Sequence, residues 1–312
     1  MNDELHIVFG ASGGIGNAVI RNLVARGKKV RGVNRSGKAN VPNGVEVVPA
    51  DLLVLNDSLK ASEGATHIYN CVNVVYDKWK SIYPDVSYRF IELLKITGAK
   101  GIIADNLYMY GEEITEPYRE SMEYMARGKK GRLRAKCAMI YEQAMKNGEI
   151  QAVICRAPDF YGPGVTFSSF YGDRLFPNIL DSKNVTVMGK LDAPHAIIFV
   201  EDFAKAIINL ALDDGAYGQV WHAPMDTVLT QREFIETIYE EAGTIGKIRS
   251  MNPFIARILG LFVPIIREVN EMMYEFVKPY LVNTSKYEER YGKTVTSHRE
   301  AIRQTLDWYR SG

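Results

Sequence analysis

Residues Glu4 to Gly16 read ELHIVFGASGGIG, and the reading of this stretch decides the fold. The apolar run Ile7-Val8-Phe9 has no helical period and breaks at Gly10; Gly10, Gly13 and Gly16 then fall three residues apart. A helix-like segment, Asn17 to Arg26, follows, and a second apolar run comes at Lys29 to Val33. Strand, glycine turn, helix, strand is the opening of a dinucleotide-binding unit. Gly10 lets the chain turn sharply out of the strand, Gly13 lets the backbone approach a pyrophosphate, and Gly16 lets the helix lie tight on the sheet. The helix start offers unpaired N–H groups and a partial positive charge to the phosphates, with Ser12, Gly14 and Ile15 completing the cradle.

The chain has 312 residues, room for one large α/β domain with a smaller lobe. A hydrophobic content of 46% with 24% charged residues is that of an ordinary globular protein, and a net charge of +1 gives no global basic field for nucleic acid. Cys71, Cys137 and Cys155 are far apart and lack C-x-x-C or His-rich spacing, so neither a metal site nor a disulfide framework is expected. The longest apolar stretch, Phe254 to Ile266, contains Arg257 and Pro264 and is shorter than the roughly 20 residues a bilayer crossing needs. With an acidic, polar start to the chain, the expectation is a cytoplasmic protein without a membrane span.

Apolar runs at 5–9, 29–33, 45–48 and 67–72 alternate with helical patterns at 14–26, 54–62 and 82–97. This alternation predicts an α/β fold, a doubly wound parallel Rossmann sheet, with ligands beyond the carboxyl ends of the strands. The segments after each strand therefore carry the reading. After the second strand stand Asn34, Arg35 and Ser36, with no acid to meet a ribose 2′-hydroxyl. A guanidinium suits a 2′-phosphate, which favours NADP over NAD; the alternative is a plain surface arginine.

The form Gly10-Ala11-Ser12-Gly13-Gly14-Ile15-Gly16 resembles the extended short-chain dehydrogenase/reductase superfamily, which includes nucleotide-sugar epimerases and dehydratases. The resemblance implies that Asp51 and Leu52 flank the adenine and that Cys71, Val72 and Asn73 line the cofactor channel. Tyr110-Gly111 is similar to the family pair preceded at four residues by a Ser or Thr, but that place holds Asn106, which can donate a hydrogen bond and cannot relay a proton as a hydroxyl does. The family's Tyr-x-x-x-Lys pair is absent from its usual place. Such a spacing occurs at Tyr76 to Lys80, one unit too early, which leaves Tyr76 as a cleft-lining candidate. Counting places Lys130 and Arg134 where the pair should stand, which resembles the atypical branch of the superfamily. Lys130 could then shuttle a proton and Arg134 hold the nicotinamide ribose, with Tyr108 and Tyr110 as rival donors; basic residues on a solvated helix face are the plain alternative.

Arg156-Ala157-Pro158-Asp159-Phe160-Tyr161-Gly162-Pro163-Gly164 resembles the family's Arg-x-x-Asn-x-Tyr-Gly-Pro-Gly turn, with Asp159 in place of Asn. In the family this turn passes the nicotinamide, which assigns Pro158 and Asp159 to the cofactor and Tyr161, Phe167, Phe170 and Arg174 to the substrate pocket. His195 precedes Val200-Glu201-Asp202 as a basic residue does in the family and is a further substrate candidate, with Asp202 as helix cap. Thr230-Gln231-Arg232-Glu233 reads as a capping box. Residues 253–282 suit core, the lid of an apolar pocket or a subunit contact, the last implying a homodimer. The domains expected are a Rossmann unit over 1–164, with 196–223 returning to it, and a mostly helical substrate lobe from 165–195 and 224–312. The function expected is NADP(H)-dependent oxidoreduction of a small-molecule carbonyl or alcohol. The alternatives are an epimerase/dehydratase-like isomerase and a non-catalytic NADP(H) sensor.

Overall fold

A computed structural model of the chain describes residues 4–74, 78–113, 116–167, 169–251 and 270–311. In chain order the first half holds β1 (Leu5–Phe9), α1 (Gly14–Ala25), β2 (Lys29–Asn34), β3 (Glu46–Pro49), α2 (Leu55–Ala61), β4 (His67–Asn70), α3 (Trp79–Thr97), β5 (Lys100–Asp105), α4 (Lys129–Lys146) and β6 (Ala152–Arg156). The second half holds β7 (Asp159–Tyr161), α5 (Phe176–Leu180), β8 (Val185–Met188), β9 (Pro194–His195), β10 (Ile197–Phe199), α6 (Val200–Ala211), β11 (Val220–His222), β12 (Leu229–Thr230), α7 (Gln231–Ala242) and β13 (Ile248–Met251). Helices at Tyr274–Val277, Ser285–Tyr291 and His298–Ser311 follow.

Seven parallel strands form one sheet in the order β11-β6-β5-β4-β1-β2-β3, the Rossmann order extended by a seventh strand. Every residue of β1 is buried, as is every residue of β4 and β6, because helices cover both faces of the sheet. That is why these runs do not alternate between apolar and exposed polar residues: even their polar members, His6, His67, Asn70 and Arg156, are buried. One face packs α1 and α6 through Val19, Leu23, Phe203 and Ile207; the other packs Phe90, Leu94 and Tyr141 from α3 and α4. A separate core gathers Phe176, Phe234, Ile238, Phe276 and Ile302 in the C-terminal part. The order reverses between β1 and β4, so the crevice for a ligand opens beside Gly10 and Cys71.

The elements depart from expectation in two instructive places. Helix α3 starts at Trp79, not 82, because the buried indole donates to the Val74 carbonyl at 2.6 Å and anchors an extra turn ahead of Pro84. Helix α6 starts at Val200 with Phe199 at the cap position, so Asp202 lies within the first turn. It accepts from the Thr296 N–H at 2.6 Å and the Thr296 hydroxyl at 2.9 Å, which ties the C-terminal part to the sheet. The capping box at Thr230 and Glu233 forms as read. No helix of the described residues is long and apolar enough to cross a membrane, and the run Phe254 to Ile266 lies outside them.

Candidate functional site

The tip of β1 is built for close backbone approach. Gly10 has φ +88°, and a β-carbon there would collide with the Cys71 carbonyl. A β-carbon on Gly16 would collide with the Gly10 carbonyl, so this glycine lets the helix press on the turn itself. Gly13 is different: its β-carbon would meet nothing nearer than 3.4 Å, and it stands at the helix cap with no side chain covering the first-turn N–H groups. No acid lies in that first turn, and Ser12 is exposed. Open donors, a positive helix end and absent side chains are what a diphosphate requires, so these residues fit a dinucleotide.

The carboxyl ends of the next strands gather around the same tip. Asn34 is not turned toward a ligand. Its Oδ1 accepts from the Ser36 N–H and hydroxyl, both at 3.1 Å, and its Nδ2 donates to the Lys38 carbonyl at 2.8 Å, which closes the loop. Arg35 is exposed and has no hydrogen-bond or ion-pair partner among the described residues. Asp51 Oδ1 accepts from the Leu53 N–H at 3.0 Å and Leu52 is buried. Burial pushes the Cys71 thiol up to about 12, so it is an inert wall. Val72 N–H binds Asn70 Oδ1 at 3.2 Å, and Asn73 Oδ1 accepts from the Tyr83 hydroxyl at 3.3 Å.

At the end of β5 the dominant group is Asp105, which the motif reading passed over. Its carboxylate lies between Arg134 and Arg156, with Oδ2 at 3.2 Å from Arg156 Nε. Burial alone would raise this carboxyl, but the two guanidiniums outweigh it and hold it below the usual value. Arg156 is fully buried and also donates to the Tyr110 hydroxyl at 2.8 Å and the Tyr124 hydroxyl at 2.6 Å.

This network bears on two expectations. Arg134 points inward: it pairs with Asp105 and lies over the Tyr83 ring at 4.4 Å, a geometry that supports holding β5 rather than a ribose. Tyr110 is fully buried, with its hydroxyl 2.9 Å from His222 Nε2, and burial pushes it up to about 12. Enclosed in this way, its hydroxyl accepts from Arg156.

Asn106 is half-buried, accepts from the Tyr108 N–H at 3.3 Å, and leaves Nδ2 with no acceptor among the described residues. Tyr108 stacks on Trp79 at 5.9 Å. Lys130 is buried and its Nζ lies 3.9 Å from a Glu271 carboxylate oxygen, while Glu271 also accepts from the Lys130 N–H. The two neighbouring cations expected at 130 and 134 are thus each given an acid of their own.

The turn after β6 runs back over the helix start, where a β-carbon on Gly14 would sit 2.9 Å from Val165 Cγ2. Pro158 is buried, and Asp159 Oδ2 meets His195 Nε2 at 3.0 Å. The pocket candidates separate. Tyr161 is wholly inside the C-terminal core against Phe234 and His298, which makes it a packing residue because no face of it is open. Phe167 is 84% exposed and Arg174 is exposed, so neither lines an enclosed pocket. Phe170 is half-buried on Phe276 at 5.2 Å. Tyr76 lies outside the described residues.

Glu271 and Glu275 were not singled out from the sequence. The available signal was two acids four residues apart inside an apolar run. Glu275 is buried with Oε2 unpartnered, and burial, then the nearby charge of Asp159, pushes its carboxyl well up.

Comparison with known proteins agrees with this arrangement of strands and turns. No curated protein matches the chain. Among solved structures it is similar to a UDP-N-acetylglucosamine 4-epimerase from Methanobrevibacter ruminantium, with 20% identity over 100% of this chain and 99% of that one and a TM-score of 0.80. A UDP-glucose 4-epimerase from Thermus thermophilus, complexed with NAD, gives 17% identity over 98% and 99% with a TM-score of 0.79. A dTDP-glucose 4,6-dehydratase from Streptomyces venezuelae gives 15% over 98% and 97% with a TM-score of 0.78. At such identities these likenesses show the fold alone. The family described as NAD dependent epimerase/dehydratase matches residues 6–221, a span that runs from β1 through the glycine turn to β11. The match takes in well over half the chain, so this protein belongs to the NAD-dependent epimerase/dehydratase family.

Proposed function

We propose that the protein binds NADP(H) in preference to NAD(H) at the β1–α1 turn and carries out oxidoreduction of a carbonyl or alcohol, as a net reduction or within an epimerase-type cycle. The observation that carries this reading is the packing of Gly164 and Val165 on Gly14, which lays the second-lobe turn across the dinucleotide tip and makes a site where two lobes meet. The residues that would hold the dinucleotide are Gly10, Gly13, Gly14 and Gly16 at the diphosphate, Asp51 and Leu52 at the adenine, and Arg35 at a 2′-phosphate. Bound there, it supplies hydride chemistry. On the chain's side, the Asn106 amide would hold the substrate oxygen, and Tyr108, Tyr110 or Lys130 would handle its proton. The solved relatives named above are nucleotide-sugar enzymes, and a nucleotide sugar is one substrate class to test.

Incubating the protein with 4-deuterated NADPH and a panel of aldehydes, ketones and UDP- and dTDP-sugars tests this. Deuterium appearing in a product is the outcome expected. Tight binding of NADPH without isotope transfer to any compound would favour the other reading, a cofactor sensor. That reading draws on the inward-facing Arg134, which leaves the family's lysine role unfilled.

A further inference from the structure

β11 is an edge strand of the sheet, and its Val220 lines a cavity of about 840 Å³. None of the residues assigned to the dinucleotide lies in the wall of this cavity. The wall comes from the segment after β5, from α4, from β11 and from the helix Ser285–Tyr291. Two backbone groups that β11 turns away from β6 are met by side chains of this wall. The Val220 carbonyl accepts from Lys286 Nζ at 2.7 Å, and the His222 N–H donates to Glu120 Oε1 at 2.9 Å. The open edge is thus covered by two charged residues, and the cavity lies outside them.

The inner wall is the outer face of the network around Arg156. Glu142 Oε1 accepts from the Tyr124 hydroxyl and, at 3.2 Å, from Arg156, whose other side reaches Asp105. Both Tyr124 and Glu142 line the cavity.

The lining is out of balance in charge. Four acids, Glu120, Glu123, Glu142 and Glu289, stand against two bases, Arg119 and Lys286. Both bases are engaged elsewhere. Arg119 pairs with Glu116 at 3.2 Å, and Lys286 donates to the Val220 carbonyl and lies over the Trp221 ring at 4.1 Å. Glu123 and Glu289 have no hydrogen-bond or ion-pair partner among the described residues, and Glu120 and Glu142 each keep one oxygen without one. Nor do these acids gather at one point: no three His, Cys, Asp or Glu side chains of the described residues are grouped as a metal ion requires. The met charge of an occupant must therefore be spread along its length. Met122 and Met139 add apolar, adaptable surface to the same wall.

We infer that this cavity is a second small-molecule site, which takes an extended organic cation of the aliphatic diamine or polyamine class. Its ammonium groups meet the unused carboxylate oxygens, and its methylenes lie on the methionines. The volume falls within the roughly 300–1,000 Å³ of small-ligand sites. Its occupancy asks nothing of the glycine turn, so it stands whether or not a dinucleotide binds there.

The test is calorimetric titration of spermidine into the full chain at low salt, with magnesium chloride titrated in parallel. The outcome expected is saturable one-to-one binding of spermidine that weakens as salt is raised, and no such binding of magnesium. The exposed pair Glu123 and Glu289 can be changed without touching the Arg156 network. The double variant E123Q/E289Q, with its urea midpoint unchanged, should bind spermidine about fivefold more weakly, the worth of two exposed ion pairs. E63Q, which removes an exposed acid elsewhere, should bind it as the unaltered protein does. Absence of saturable binding overturns the inference. So does full affinity in E123Q/E289Q, or an equal loss in E63Q, which would mark a general attraction to acidic surface. Magnesium that binds one-to-one and is displaced by spermidine overturns the assignment to an extended cation.

Discussion

Gly10 and Cys71 are locked against each other: a β-carbon on Gly10 would run into the Cys71 carbonyl, and the φ of +88° already excludes most other residues. The contact joins the ends of β1 and β4 at the point where the strand order reverses. Gly10→Ala should therefore destabilise the fold by about 2 kcal/mol or more, seen as a lower midpoint in urea unfolding. Gly13→Ala has room at 3.4 Å and should leave that midpoint within about 0.5 kcal/mol while cutting NADPH affinity at least about tenfold. Equal losses of stability in the two variants would contradict this division of roles.

Arg35 is the first cation after β2 and the group offered for a 2′-phosphate, since Asn34 is engaged in its own loop. Replacing Arg35 with Ala should weaken NADPH binding about tenfold or more, the worth of a charge-assisted contact, and change NADH binding little. Fluorescence titration of both coenzymes checks this, and equal loss for both would remove the NADP preference.

Asp105 separates two buried guanidiniums. Asp105→Asn leaves Arg134 and Arg156 uncompensated and should cost about 3–5 kcal/mol in a denaturant titration. The pH dependence has a definite sign. The folded-state pKa is depressed, so the stabilisation is fully present above the unfolded-state pKa and is lost as pH falls through the lower folded value. The asparagine variant should lack that acid limb.

His6 and His222 act in a higher window. Burial, reinforced by His67 in one case and Arg156 in the other, pushes each pKa down to about 3. Unfolded histidines bind protons near about pH 6.5, so the unfolded state takes up more protons between that value and about 3. Stability should rise with pH across this window, by up to about 1.4 kcal/mol per pH unit for each ring. His222→Gln, measured by urea unfolding at several pH values, should reduce the slope by one ring's share; an unchanged slope would contradict the neutral, buried assignment.

The sheet was legible because its strands are short, mostly apolar and cut by glycine turns, so β1, β2 and β3 fall within a residue of their expected bounds. The glycine tip was legible for the same reason: φ and close contact restrict residue type locally. What the sequence hid is long-range pairing. Nothing around Asp105 announces that Arg134 and Arg156 converge on it from α4 and β6, 29 and 51 residues away. Tyr110 could be read as a donor only while its neighbour His222, 112 residues on, was unknown. Glu271 and Glu275 acquire meaning only when the C-terminal segment folds over Lys130 and His195.

The central claim is that the open helix start at Gly13 holds a dinucleotide diphosphate. Isothermal titration of NADPH into the unaltered protein and into Gly13→Ala measures it most directly. The account predicts saturable one-to-one binding that is tighter for NADPH than for NADH and at least about tenfold weaker in a folded Gly13→Ala protein. Binding that is absent for both coenzymes, or unaffected by the substitution, would contradict it.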